Sequence, residues 1–220
     1  MGMLFSCIIP AYNEGPRIAR ILETVLACVD IDEVIVVNDG SIDNTQQVID
    51  AFDTPKLRKI HLKKNSGKLS AFFAGIEKAT GTHIFMTDAD YIGFTTEHIQ
   101  QLINPVKHGI VDSTMMMWKE SLGICKLLKH DMFSGARVLP ISVFNDREYY
   151  ISGEGFSLET KMNEILYQKG LSIRSLYFEE VHNPSKGWKQ IYLKQPRDIL
   201  SSMPFWKIAR QAWYIYKQQP

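Results

Sequence analysis

Residues 4–14 read Leu-Phe-Ser-Cys-Ile-Ile-Pro-Ala-Tyr-Asn-Glu, and this stretch decides the fold class. Leu4 to Ile9 is an apolar run with β-branched members, stopped by Pro10. Such a run suits a strand buried on both faces, as in a parallel sheet covered by helices. The polar group Ala11 to Glu14 follows at once. Pro16 to Val29 then places apolar residues at Ile18, Ile21, Leu22, Val25 and Leu26. That is helical spacing, and Pro16 sits where a first-turn proline is tolerated.

The same unit repeats outward along the chain. Val34 to Val37 predicts a second buried strand, ending in Asn38-Asp39-Gly40-Ser41. Asn44 and Thr45 can cap a helix running to about Phe52. Leu57 to Leu62 predicts a third strand, and Lys68 to Ala79 a third helix closed by Gly81. His83 to Thr87 predicts a fourth strand, ending at Asp88-Ala89-Asp90. Alternating strands and helices make an α/β chain with a mostly parallel central sheet. In such sheets ligands bind beyond the carboxyl ends of the strands. The clusters Ala11 to Glu14, Asn38 to Ser41, Asn65 to Lys68 and Asp88 to Asp90 all fall there.

The second half is less regular. Met115 to His130 is apolar and basic and is expected to be helical in part. Ser134-Gly135 opens a turn before Val138 to Phe144, and Ser152-Gly153-Glu154-Gly155 reads as a flexible loop. Phe156 to Gln168 has helical spacing with Gly170 as its stop, and Leu171 to Phe178 predicts a last strand. From Pro204 onward, Phe205, Ile208, Ala209, Ala212, Trp213 and Tyr216 fall on one helical face, with Lys207, Arg210 and Lys217 away from it. The plainer expectation is that this stripe packs on the domain as a last core helix or in a homodimer contact. The alternative is contact with a membrane surface.

Composition narrows the class. The 220 residues are 45% apolar and 22% charged, which suits a buried globular core. Basic and acidic side chains nearly balance, 25 against 24, whereas a nucleic-acid binder shows a basic excess. Cys7, Cys28 and Cys125 are scattered, without zinc-ligand spacing, and read as small core hydrophobes in a reducing compartment. No signal peptide is visible and no stretch approaches the roughly 20 apolar residues of a membrane span. The expectation is a cytoplasmic protein, soluble or lying at the inner face of a membrane.

Asp88-Ala89-Asp90 carries the chemistry. Two carboxylates two residues apart, at a strand end, can serve one hard cation such as Mg²⁺ or Mn²⁺ between them and a diphosphate. Such a cation neutralises charge on a leaving nucleoside diphosphate. Alone this pattern is weak, because Asp-x-Asp is common in turns and caps. Its company is more specific: Ile9-Pro10-Ala11-Tyr12-Asn13-Glu14, then Val37-Asn38-Asp39-Gly40-Ser41 with Asp43 and Thr45, then Asn65-Ser66-Gly67-Lys68. In order and spacing these segments resemble the inverting glycosyltransferase family 2 and its GT-A fold over about the first 100 residues. One departure is Asn38, where many members have aspartate.

The resemblance implies roles. Pro10, Ala11, Tyr12 and Glu14 would line the nucleoside pocket, and Asp39 would accept a hydrogen bond from the base. Gly67 would let backbone approach the nucleotide, and Lys68 would face base or phosphate. Asp88, with Ala89 beside it, would face ribose or sugar, and Asp90 the metal. Asp131-Met132-Phe133-Ser134-Gly135-Ala136-Arg137 resembles the acceptor-bordering segment of polyprenyl-phosphate sugar synthases, which implies acceptor contacts from Asp131, Ser134 and Arg137. Glu179-Glu180-Val181-His182 resembles a late loop that brings a histidine to the metal; the plain alternative is a loop histidine. The resemblance thus implies a nucleotide-sugar-binding half in residues 1–100 of one GT-A domain, an acceptor-binding half in 101–190, and a helical appendage in 191–220.

The expected reaction moves a hexose from a UDP- or GDP-sugar, with inversion. A polyprenyl-phosphate acceptor brings an ionised oxygen, and Arg137 would orient it. A hydroxyl acceptor would need a carboxylate base, with Glu159 and Glu154 the candidates. Two rivals are a sugar-nucleotide pyrophosphorylase, whose glycine-rich basic loop after the first strand is absent, and a non-catalytic peripheral membrane protein.

Overall fold

The computed structural model describes residues 2–118, 134–151 and 158–183. Asp131, Glu154, Cys125 and the apolar stripe from Pro204 lie outside the described residues. Among the described residues no helix is long and apolar enough to cross a membrane.

The first apolar run forms β1 (Phe5–Ala11), followed by α1 (Gly15–Ala27) and β2 (Glu33–Asn38). α2 (Thr45–Asp50), β3 (Leu57–His61), α3 (Lys68–Ile76) and β4 (His83–Met86) complete the regular half. α4 (Thr96–Lys107), β5 (Ser113–Trp118), β6 (Arg137–Pro140) and a 3₁₀ turn over Ile141–Phe144 follow. α5 (Arg147–Ile151), α6 (Leu158–Gln168) and β7 (Ile173–Phe178) close the described chain. The strands form one sheet in the order β3-β2-β1-β4-β6-β5-β7. Among the described strands only β6 runs antiparallel to its neighbours.

Apolar side chains cover both faces of the sheet. Ile18, Ile21, Leu22 and Val25 of α1 and Ile99, Leu102 and Ile103 of α4 pack on one face with Cys7, Ile9, Val34 and Val36. Phe72 and Phe73 of α3 and Met162 and Leu166 of α6 pack on the other with Ile8, Ile84 and Met86. Cys7 and Cys28 are both buried free thiols. Burial pushes the Cys7 thiol pKa well up, as expected of a core residue held neutral.

Several elements differ from their sequence expectation. The stretch from Met115 begins as strand, because β5 is buried along its whole length between β6 and β7. Asn44 precedes α2, yet Asp43 holds the turn: its Oδ1 accepts the Thr45 N–H at 2.9 Å. α3 ends at Ile76, before Gly81. Gly81 is needed for close packing, since a Cβ there would lie 2.5 Å from Ser6 Oγ. β6 stops at Pro140 and the chain tightens into the 3₁₀ turn. α4 has no counterpart in the sequence reading, because Pro105 in its last turn hides the period of Ile99, Leu102, Ile103 and Val106.

Register positions the site. Met86, the last residue of β4, pairs with Arg137, the first of β6. The antiparallel return therefore delivers Ser134 to Ala136 beside the Asp88 loop, although 50 residues intervene between Met86 and Arg137 in the chain.

Candidate active site

A cleft of about 330 Å³ opens at the carboxyl ends of β1, β2 and β4. Pro10, Ala11, Tyr12, Glu14, Asp39, Gly67, Lys68, Asp88, Ala89 and Asp90 line it, together with Asn65 and Ala71. It brings together all the residues that the sequence reading set around the nucleotide and sugar; Ala71, one turn into α3, was not among them.

The loops that carry these groups are bolted to one another. Asn13 takes a left-handed conformation, φ 55°. Its N–H donates to Ser41 Oγ at 3.0 Å and its Oδ1 accepts the Ile42 N–H at 3.0 Å. Asp39 is buried, and its two oxygens accept the N–H groups of Ser66 and Gly67, each at 2.8 Å. Asp39 thus shapes the third loop as well as facing the cleft. Gly40 has φ 63°, and a Cβ there would lie 2.4 Å from the Lys64 carbonyl carbon, so the loops meet backbone to backbone. Asn38 donates through Nδ2 toward His61 Nδ1 at 3.3 Å and accepts the Ser41 N–H, so its amide uses both ends.

At the centre, Lys68 Nζ donates to Asp88 Oδ1 at 2.7 Å and to Glu159 Oε1 at 2.6 Å. Burial alone would lower the Lys68 pKa, but the two carboxylates outweigh it and hold it above the ordinary lysine range. Burial likewise opposes ionisation of Glu159, and Lys68 overcomes it, leaving the Glu159 carboxyl below its usual pKa. Glu159 is 5% exposed, so it is an interior residue of α6 rather than a solvated one. Tyr91 Oη lies 3.5 Å from Asp88 Oδ2.

The acidic side of the cleft is different. Burial raises the Glu14 pKa, Arg17 at 2.6 Å pulls it down, and Asp90 and Asp88 push it up again. Negative charge is in excess here, which a cation would relieve. Among the described residues no three carboxylates, imidazoles or thiolates converge as a metal cage. A hard divalent ion held by one or two carboxylates and completed by phosphate oxygens and water needs no such cage. Asp88 and Asp90, both buried, fit that role.

The late loop reaches this side through a backbone bridge: Ile92 and His182 exchange N–H···O bonds of 2.9 Å each way. The same loop lays Asn183 on Asp90, Nδ2 donating to Oδ1 at 2.9 Å. Glu180 of the same loop accepts from His98 Nε2 at 2.9 Å, tying the loop to α4. Asn183 follows directly on the histidine singled out in the sequence, and only the strand bridge shows that it meets Asp90.

Arg137 differs most from expectation. It is fully buried. Its Nε donates to Ser134 O at 2.6 Å, and its Nη1 donates to Glu159 O at 3.4 Å and to Asn163 Oδ1. Ser134 is fully buried too, and its Oγ donates to Ala136 O at 3.3 Å.

Comparison with known proteins agrees with this geometry. The family model "Glycosyl transferase family 2" matches residues 6–150. A dolichyl-phosphate beta-glucosyltransferase of Trichomonas vaginalis is 39% identical over 94 residues, 38% of this chain and 28% of that protein. YaiP, an uncharacterized glycosyltransferase of Escherichia coli, is 28% identical over 221 residues, 83% of this chain and 54% of that protein. The chain thus spans about half or less of the length of these relatives. Glucosyl-3-phosphoglycerate synthase of Mycobacterium tuberculosis, solved with Mn²⁺, UDP-glucose and phosphoglyceric acid, superposes with TM-score 0.71 at 16% identity, over 96% of this chain and 80% of that one. That likeness shows a shared GT-A fold. With the family model covering well over half of it, the chain belongs to glycosyl transferase family 2.

Proposed function

We propose that this chain transfers glucose from UDP-glucose to a phosphate-bearing acceptor, a polyprenyl phosphate, with inversion at the anomeric carbon and with Mn²⁺ or Mg²⁺ bound. The observation that carries this reading is the cleft that gathers Asp39, Asp90 and the Lys68–Asp88 ion pair, with Glu159 bonded to Lys68. Pro10, Ala11, Tyr12 and Glu14 cradle the nucleoside, and Asp39 recognises the base from the loop it braces. Asp88 and Lys68 face the sugar hydroxyls, with Glu159 holding Lys68 in place. Asp90 would hold the cation, with His182 a further ligand; when bound, the cation neutralises charge on the departing diphosphate.

An acceptor that brings its own ionised oxygen fits the state of Glu159, the candidate base that lies among the described residues. A general base needs a pKa near the working pH. Lys68 is bonded to the Glu159 carboxylate at 2.6 Å and favours its ionised form, which opposes its taking a proton from a hydroxyl. A phosphate monoester brings an oxygen that is already ionised. Its lone pair forms the bond to the anomeric carbon while the bond to the diphosphate oxygen breaks, and the electron pair leaves with UDP. No proton needs removing. Relatives named for dolichyl-phosphate and undecaprenyl-phosphate transfer support this acceptor, as do the phosphate-bearing ligands of the structural neighbours.

The test is transfer of radiolabelled glucose from UDP-glucose to a short-chain polyprenyl phosphate, with Mn²⁺ and with chelator. Liposome sedimentation of the full chain and of a version ending before Pro204 tests contact with a membrane surface. Transfer to 3-phosphoglycerate with no lipid product would replace the lipid by a small phosphorylated acceptor.

A further inference from the structure

The carboxylate of Asp88 is confined on a side that the sequence does not show. A Cβ on Gly135 would lie 2.2 Å from Asp88 Oδ2, 2.4 Å from Cγ and 2.6 Å from Oδ1. Any side chain at residue 135 would therefore displace the whole carboxylate. Lys68 holds the same group from another direction at 2.7 Å.

Two residues further on, Arg137 has no exposed surface with which to meet an acceptor. Its guanidinium donates to Ser134 O, to Glu159 O and to Asn163 Oδ1. Glu159 and Asn163 stand four apart on one face of α6. Arg137 grips that face, the one that presents Glu159 to Lys68. The segment entering β6 thus holds both ends of the ion group: Gly135 bears on Asp88, and Arg137 fixes Glu159.

We infer that Gly135 and Arg137 are positioning residues for donor-sugar recognition, acting through Asp88 and Glu159, and that Arg137 does not bind the acceptor. This rests on the reading of Lys68 and Asp88 as the sugar-facing pair, with Glu159 holding Lys68 in place. The segment couples the two halves of the domain: the strand that borders the acceptor side sets the geometry of the donor side. The guanidinium fork is suited to this, because it reaches a backbone carbonyl and a side-chain amide from one rigid plane, which a lysine cannot reproduce.

The experiment compares UDP and UDP-glucose by calorimetry in the presence of Mn²⁺, for wild type, Gly135→Ala and Arg137→Lys, with acceptor-free hydrolysis of UDP-glucose as a second readout. Melting temperature and circular dichroism establish folding. Gly135→Ala leaves Arg137 and its partners in place, so it reports even where an Arg137 variant fails to fold. The expected result is UDP affinity within about twofold of wild type and UDP-glucose affinity reduced about tenfold or more, the scale of one charge-assisted hydrogen bond. Acceptor-free hydrolysis should fall in parallel. Unchanged UDP-glucose affinity and hydrolysis, with only the acceptor KM raised, would overturn the inference and return Arg137 to the acceptor. Asp88→Asn and Glu159→Gln separate the two levels. If both keep full UDP-glucose affinity, the sugar-facing reading itself fails; if they lose it while Gly135→Ala and Arg137→Lys do not, the positioning role alone fails.

Discussion

Lys68 Nζ stands 2.6 Å from Glu159 Oε1, although 91 residues separate them in the chain. One ammonium at the start of α3 thereby neutralises two buried carboxylates, one from the loop after β4 and one from α6. Removing it leaves Asp88 and Glu159 without the ammonium that both of them bind. Breaking a fully buried pair costs about 3–5 kcal/mol. Lys68 is 36% exposed, so solvent screening reduces the expected loss for Lys68→Met to about 1–3 kcal/mol. Urea denaturation measures it, and adding Glu159→Gln to Lys68→Met should restore part of the loss. A double variant less stable than Lys68→Met alone would show that Glu159 has some other compensating partner.

Two glutamates give opposite pH signatures. The Glu159 pKa is held below its unfolded value by Lys68. Its stabilising contribution is therefore fully present above the ordinary glutamate pKa and is lost as pH falls through the lower folded value. The Glu14 pKa is raised by burial and by Asp90 and Asp88. Its ionisation disfavours the folded state, and that penalty sets in as pH rises from the unfolded pKa through the raised folded one. Melting curves between about pH 3 and pH 8 should show Glu159→Gln less stable than wild type at neutral pH and converging with it in acid. Glu14→Gln should be more stable at neutral pH and also converge in acid. A neutral-pH destabilisation by Glu14→Gln would mean that its bond to Arg17 outweighs the burial and repulsion it suffers.

The first half of this site was legible because each strand end carries its polar cluster in the next few residues. Local pattern and position in a parallel sheet then suffice to place Tyr12, Asp39, Lys68 and Asp90 around one cleft. What was not legible depends on pairing across long separations. Gly135 reads as a turn glycine until the Met86–Arg137 register sets it against Asp88. Arg137 reads as an acceptor contact through the resemblance of residues 131–137 to polyprenyl-phosphate sugar synthases, and nothing in that segment announces its full burial. Asn183 carries no signal of its own beside His182. α4 was hidden by Pro105, although Thr95 with His98 three residues on forms a capping box that marks its start.

Asp39 is expected to act on nucleotide binding by two routes, its contact with the base and its hold on Ser66 and Gly67. Asp39→Ala should weaken UDP binding by about 1.5–3 kcal/mol, roughly ten- to a hundredfold. Asp39→Asn keeps one acceptor oxygen and can hold only part of the loop. Amide hydrogen exchange at residues 65–67 separates the routes. Faster exchange in both variants, graded with the affinity loss, would show the loop to be the dominant one; slow exchange beside a full affinity loss would leave the base contact alone responsible.

Removal of Asp90 should separate stability from turnover. In the absence of a cation, Asp90 adds to the negative charge that Asp88 and Glu14 already place in the cleft. Asp90→Asn removes that repulsion while keeping an oxygen for the Asn183 amide at the 2.9 Å position. The metal-free variant should therefore be as stable as wild type or slightly more so, and the stabilisation of wild type by Mn²⁺ with UDP should be largely lost, since a ligand raises stability only as far as it binds the folded state. Sugar transfer should fall by at least about a hundredfold, the consequence of losing several kcal/mol of charge neutralisation on the leaving diphosphate. The measurements are thermal shift with Mn²⁺, UDP and both together, and initial rates across a Mn²⁺ titration. Recovery of full rate at high Mn²⁺ would place the defect in metal affinity alone. Full rate at ordinary Mn²⁺, with an undiminished thermal shift, would remove Asp90 from the cation site and turn attention to Asp88 and Glu14.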